Sequence, residues 1–386
     1  MVEGMLQFSR ASVQIWRLGG GLSKMSEAET IAKRLAFEFL REGRYFASSG
    51  PVELKMPGAV AAGTVEAFED FTQQVEYGGL AVQAVGYEEG TENPKVHVYL
   101  THGSARNIKA LPKDIGGTAI AVHRVGAISV RPDAAGKATN RGHVFERNGR
   151  ICCGSSSGPT SEASVGTLGA IVRRATDQKL YLLSNNHVFA GCNHVPLDQP
   201  ILSPGSQDGR PGLRAPQEVG RHSAIHELRS GDPHFVNPCD ADLAIAVLTD
   251  DHAVTSWQGD ATDGYDTPSI VSEPVSSMTV KKFGRTTGLS SGIVEAKVPT
   301  PMPVNYVAKH FKGVVWFKDV WTVRSSTADP FALPGDSGSL VVTEDGSKAI
   351  GLVFAANSSG EYAWIVPMPC AVGGFGGLQL VDGHGV

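Results

Sequence analysis

From about Gly142 onward, helical periodicity disappears from this chain, and short β-rich runs alternate with clusters of Gly, Pro, Ser and Asp. That texture limits the fold more than any other feature. Glycine and proline are turn formers that weaken helix interiors, so a region punctuated by them suits many short strands joined by turns. The 386 residues include 46 glycines and 22 prolines, somewhat above the ordinary share, which excludes a helical bundle. Strands are expected at 168–173, 179–184, 218–228 and 243–248. A second set is expected at 278–283, 291–298, 314–323, 339–343, 349–354 and 362–366. Ten such strands point to a β-sandwich or paired barrels. The stretch 196–216 reads as a loop, and 250–276 as a connector between two halves.

The first third has a different texture. Residues 1–25 read as a leader without stable structure. Ser26 and Glu29 fit a capping box ahead of Ile31, Leu35, Phe39 and Leu40, which recur at helical spacing to about Arg44. A second helix is expected over 64–76, with strands at 79–87, 95–100 and 118–130. These elements suggest a small α+β domain over 26–135, followed by β-rich units at 142–255 and 276–378.

Composition removes several function classes. Hydrophobic residues make up 41% and charged residues 19%, enough apolar material for a sizeable core. A net charge of −5 leaves no electrostatic footprint for nucleic acid or an anionic membrane. No run of about 18 apolar residues predicts a transmembrane helix. Five cysteines make no even framework and the first residues lack a secretory signal, so an intracellular, cytoplasmic protein with reduced thiols is expected. Cys152, Cys153, Cys192, His194, His234 and Cys239 lack paired ligand spacing and read as ordinary thiols and histidines; no metal or organic cofactor is expected.

Three segments carry chemistry. Leu182-Leu183-Ser184-Asn185-Asn186-His187 puts a histidine just after an apolar strand. Asp240-Ala241-Asp242-Leu243-Ala244-Ile245 puts an acid at the start of another, with Asp242 favoured over Asp240. Pro334-Gly335-Asp336-Ser337-Gly338 places a serine in a glycine-flanked loop before a third. Each is weak alone, but the joint occurrence suits one reaction. A serine hydroxyl must lose its proton as it attacks a carbonyl, a histidine can take that proton, and an aspartate can fix the imidazole tautomer. Gly335 lets the backbone turn so that the amides of residues 335 and 337 can aim at one oxyanion.

These segments resemble the His, Asp and Ser motifs of chymotrypsin-fold (trypsin-like) serine peptidases. The resemblance is closest to an intracellular, disulfide-poor branch that includes the plant narrow-leaf protease and bacterial relatives. Val165-Gly166-Thr167-Leu168 and Gly284-Arg285-Thr286-Thr287-Gly288 also resemble that branch, over roughly 142–375. The resemblance implies two packed antiparallel β-barrels behind the α+β domain, and a serine endopeptidase acting through an acyl-enzyme on proteins or peptides. It implies His187 as general base, Asp242 as its orienting acid, Ser337 as nucleophile, and Gly335 and Ser337 as oxyanion donors. Substrate would lie along Leu352, Val353, Phe354 and Ala355, with Phe331 near the base of the specificity pocket. An apolar Phe331 favours an uncharged side chain before the cleaved bond. The competing class is a catalytically silent scaffold of the same fold that binds a peptide or protein.

Three weaker patterns remain. A zymogen cleavage at Arg150-Ile151 is disfavoured because Cys152-Cys153 replace the residues that normally follow. Gly284 to Gly288 lacks the lysine and spacing of a phosphate loop and reads as a structural turn. The N-terminal domain is expected to restrict access or mediate assembly, which leaves a homo-oligomer open.

Overall fold

The computed structural model describes residues 25–45, 80–130, 143–162, 165–209, 214–233 and 235–386. The leader except Met25, the expected helix at 64–76, and His234 lie outside the described residues.

The first helix, Glu27–Arg41, starts where Ser26 predicts. The Ser26 hydroxyl accepts a hydrogen bond from the Glu29 amide at 3.1 Å. The reciprocal half of the capping box is replaced: the Glu29 carboxylate pairs with Lys33 one turn on, at 2.7 Å. Ile31, Leu35 and Phe39 are fully buried against Val82, Val98 and Leu100 of the sheet beneath.

That sheet holds Ala81–Tyr87 antiparallel to Val96–His102, which in turn pairs in parallel with Thr118–Arg124. It is not a separate layer. Tyr87 pairs with Lys297, so the N-terminal strands extend the sheet of the second barrel into one of ten strands.

The second barrel is closed. Thr279–Gly284 pairs with Gly288–Val298 on one side and with Leu340–Thr343 on the other. The ring then runs through Ala349–Ala356, Tyr362–Pro367 and Val320–Ser325 back to Gly288–Val298. Val280, Val294, Trp321, Val341 and Ile350 fill its interior.

The first barrel is an open sheet, in which Ala170–Arg174, Leu180–Ser184, Ala244–Leu248, Gln217–Ile225 and Pro200–Ser203 are neighbours in that order. Ile171, Leu182, Phe189 and Val219 form its core. The strand Leu378–Leu380, distant in sequence, pairs along the outer edge at Ala170–Arg174. Between the barrels, Leu183 and Ile245 join one apolar cluster with Leu352, Phe354 and Trp364. The mainly β, trypsin-like two-barrel architecture expected from the sequence is therefore present.

Three local expectations change. The run 314–323 is two strands, Lys312–Phe317 and Val320–Ser325, broken at Asp319, whose φ is 56°. The first pairs with Met302–Val307 and the second enters the barrel wall. The expected loop at 196–216 contains the strand Pro200–Ser203. The expected connector contains Val254–Gln258, which pairs in parallel with Arg150–Cys153. These short segments are strands because neighbours satisfy their backbone groups, not because their own patterns are strong.

Candidate active site

Antiparallel pairing brings the first two functional segments together. Ser184 is opposite Ala244, so the chain leaving one strand toward His187 and the chain entering the other from Asp242 lie at the same sheet end. His187 sits on a four-residue helix, Asn186–Phe189. Its Nδ1 is 2.6 Å from Asp242 Oδ2, and its backbone amide donates to Oδ1 at 3.2 Å. Asp242 is fully buried, and Asn185 holds its carbonyl at 2.7 Å. Asp240, the rival acid, is exposed.

A three-stranded sheet outside the closed ring adds a group that sequence reading missed. Tyr306, on Met302–Val307, donates its hydroxyl to Asp242 Oδ2 at 2.7 Å. Burial, and then the neighbouring Asp242, push the Tyr306 phenol well above its usual range, so it stays a donor. Its ring also meets the His187 ring edge-on, with centroids 5.8 Å apart.

Ser337 lies in the loop before Leu340–Thr343. Residues on either side of it are tied down: Asp336 N donates to Leu333 O at 2.9 Å, and Gly338 N to Val353 O at 2.8 Å. Among the described residues, the amides of Gly335 and Ser337 donate to no protein group. Gly335 has φ +101°, and a Cβ there would run into Thr286 Oγ1 and the Arg285 guanidinium.

The His and Ser segments converge on Gly166-Thr167. Thr167 N donates to Ser337 O at 2.8 Å, and Thr167 O accepts from Ser184 Oγ at 2.8 Å. A Cβ on Gly166 would lie 2.5 Å from Val188 Cγ2 and 2.9 Å from Ser337 O, so only glycine lets these two segments close up. Between Ser337 Oγ and the His187 ring, no hydrogen bond is made among the described residues.

Asp336 shapes this loop from beneath. Its Oδ1 accepts from the amides of Thr286 and Thr287 at 2.8 and 3.1 Å, and its Oδ2 from Leu333 N at 2.8 Å. The hairpin Gly284 to Gly288 is thus a turn, as expected, and the anion it cradles is this carboxylate. Lys282, fully buried, places Nζ 3.6 Å from Asp336 Oδ2 and donates to Thr287 Oγ1 at 2.6 Å. Burial lowers the Lys282 pKa, and Asp336 opposes that shift. Asp336 therefore already has a cationic partner. Ile151 sits inside a strand, bonded to Ala253, away from the role a zymogen cleavage would give it.

A cavity of about 440 Å³ opens beside Ser337. Val353 and Ala355 line it, whereas Leu352 and Phe354 point into the core between the barrels. Phe331 is fully buried inside the second barrel, and its neighbour Ala332 lines the cavity instead. The N-terminal region supplies part of the wall through Ala127, Ser129 and Val130. No charged side chain lines it among the described residues.

All five cysteines are free thiols, and Cys152, Cys153, Cys192 and Cys239 are buried. Burial pushes the Cys152 thiol up to about 12. Among the described residues they join no cluster of three metal-ligating side chains. No helix among those residues is long and apolar enough to cross a membrane.

Comparison with known proteins gives one curated relative at useful similarity. The rice (Oryza sativa subsp. japonica) protein NARROW LEAF 1 is 30% identical over 224 residues, which is 54% of this chain and 37% of the rice protein. The match thus spans well under half of that relative. No family model matches the chain. Protease A of Thermobifida fusca is 18% identical, with a TM-score of 0.41, covering 61% of this chain and all of that one. A glutamic-acid-specific serine protease that uses a histidine triad in substrate binding is 19% identical, with a TM-score of 0.39, covering 60% and 100%. An α-lytic protease homologue, N4, is 22% identical, with a TM-score of 0.38, covering 61% and 98%. The structural neighbours are chymotrypsin-fold serine proteases.

Proposed function

We propose that this protein is a serine endopeptidase in which His187, Asp242 and Ser337 act as base, orienting acid and nucleophile. The observation that carries the reading is the buried Asp242 carboxylate held by His187 Nδ1 at 2.6 Å, on the side of the ring away from Nε2. That bond places the Nδ1 proton toward the acid and leaves Nε2 as the basic atom.

In the reaction, Ser337 Oγ attacks the substrate carbonyl carbon as its proton passes to Nε2. The negative charge on the carbonyl oxygen meets the amides of Gly335 and Ser337, which have no other acceptor among the described residues. One such donor contributes about 3–4 kcal/mol to the transition state. Collapse of the tetrahedral species returns the proton from Nε2 to the leaving amine and leaves an ester on Ser337. Water, deprotonated by the same nitrogen, hydrolyses that ester. Bound substrate draws the hydroxyl and ring together, since catalytic hydrogen bonds commonly tighten only in the complex.

The uncharged walls of the cavity favour an uncharged side chain before the cleaved bond, with Val353 and Ala355 beside it. Ala127, Ser129 and Val130 support a role for the N-terminal region in restricting access. The five free thiols favour an intracellular setting.

Fluorophosphonate labelling tests the reading, because such probes react with an activated serine. Labelling is expected for the native chain and should vanish in Ser337→Ala and in His187→Ala. A native chain that stays unlabelled across neutral and mildly alkaline pH overturns the peptidase and favours the binding scaffold.

A further inference from the structure

We propose that His97, His123 and Glu295 form a binding site for a divalent metal ion of the zinc type, joining the N-terminal sheet to the second barrel. The site is remote in sequence from the Cys152 to Cys239 group, and does not depend on the peptidase reading.

The topology places the three residues together. In the parallel pair, Tyr99 is opposite His123 and His97 opposite Ala121, so His97 and His123 are diagonal neighbours on one face. Glu295 falls where the barrel strand slips register between Val294 and Ala296, a bulge that re-aims its side chain. His97 Nδ1 lies 2.9 Å from His123 Nε2 and 3.8 Å from Glu295 Oε2, and all three ligand atoms lie within 4.8 Å of one another. Ligands about 2.0–2.2 Å from a tetrahedral zinc ion sit roughly 3.3–3.6 Å apart. The 2.9 and 3.8 Å separations bracket that spacing, so small side-chain rotations suffice.

The atoms behind the ligands are arranged as a metal site needs. His97 Nε2 is 3.2 Å from Glu88 Oε1, and His123 Nδ1 is 3.1 Å from Tyr362 Oη. Each ring therefore has a partner on its far nitrogen, which orients it and selects its tautomer. Glu295 Oε2 accepts from Tyr99 Oη at 2.7 Å, while Oε1 is 3.2 Å from Arg324 Nε. Two carboxylates, Glu88 and Glu295, face the site, with Arg324 on Glu295 and the exposed Lys95 acting on Glu88 from outside. His97 is buried, whereas His123 and Glu295 are partly exposed, which leaves a side for entry and for a water ligand.

Protons balance without release. With His97 Nε2–H donating to Glu88, His97 Nδ1 is already a free lone pair. In the metal-free site that lone pair accepts the His123 Nε2–H. On binding, the His123 proton moves to Nδ1 and donates to Tyr362 Oη, freeing Nε2 for the ion.

The test uses the whole chain, stripped with a chelator and titrated with Co²⁺, then Zn²⁺. One equivalent of cobalt should give the intense visible bands of a tetrahedral site, and zinc should displace it. Zinc should also raise the melting temperature. His123→Gln and Glu295→Gln should each weaken cobalt binding at least tenfold, while His194→Ala should not change it. Absence of the bands in the native chain, or bands that persist unchanged in Glu295→Gln, overturns the proposal. Should His123→Gln fail to fold, judged by circular dichroism of the metal-free form, Glu295→Gln decides it, because that side chain is partly exposed.

Discussion

The two barrels reach their shape by different means. The one that carries Ser337 closes on itself, because Thr279–Gly284 is hydrogen-bonded on both sides by strands of its own ring. The one that carries His187 and Asp242 stays open and is completed by distant pieces. Leu378–Leu380 covers its outer edge, and Tyr306, on the strand paired with Lys312–Phe317, reaches in to Asp242. The turn under Ser337 is held by the buried Lys282–Asp336 pair of its own unit, with Thr167 of the first barrel bonding Ser337 O and Gly335 O from across, whereas Asp242 takes the Tyr306 hydroxyl from outside its sheet. Damage to the first should be local and severe; damage to the second should be graded.

The sharpest way to break that contrast is Lys282→Met. It leaves the Asp336 carboxylate buried without its cation, which costs about 3–5 kcal/mol of stability. The turn above it should loosen with it, and losing one oxyanion donor lowers kcat by about 10²–10³. Urea unfolding and ester hydrolysis measure the two effects, and a variant of native stability would refute the contrast. The buried Lys282 also titrates. Because burial lowers Lys282 below the usual 10.5, the folded chain gives up this proton before the unfolded chain does. Between the lowered value and 10.5 this group's contribution to stability rises with pH, even as the ion pair beneath Ser337 disappears. Activity should therefore fall on the alkaline side while circular dichroism stays native.

A smaller effect should follow at the open barrel's edge. Leu380→Ala, at a position 6% exposed, should cost about 2–3 kcal/mol. Hydrogen exchange should rise in Ala170–Arg174 but not in Leu340–Thr343. Equal loosening of both strands would mean that the barrels share one cooperative unit.

The mildest change is Tyr306→Phe, which removes one donor from Asp242 and keeps the ring. A positioning role predicts kcat lowered about tenfold, or ~1.4 kcal/mol, with KM nearly unchanged. An equal change in KM would show that the hydroxyl serves substrate binding instead.

How far this was legible in the chain depends on sequence distance. The helix cap at Ser26 and the strand flanking His187 are local patterns, so propensity and periodicity reveal them. That His187 and Asp242 meet is also readable, because each polar residue abuts an apolar run whose pairing puts both at one end. Tyr306 and Lys282 were not readable. A tyrosine and a lysine within apolar strands look like a core aromatic and an outward-facing cation, and only the folded chain brings each to its carboxylate. Phe331 misleads in the opposite way: the family resemblance implies a place at the pocket base, yet its side chain plugs the barrel while Ala332 takes the wall. Glu295 shows a third limit, since a one-residue slip in register leaves no mark in composition.

The eleven-residue strand Gly288–Val298 begins beside the hairpin that grips Asp336 and, near its other end, pairs through Lys297 with the N-terminal sheet. An extended ribbon of that length spans roughly 36 Å, at about 3.3 Å per residue. A force applied to the strand Ala81–Tyr87 thus has a stiff ribbon whose far end lies at the turn under Ser337. Pulling on that portion of the molecule from outside is mechanically equivalent to tugging on the floor of the cleft.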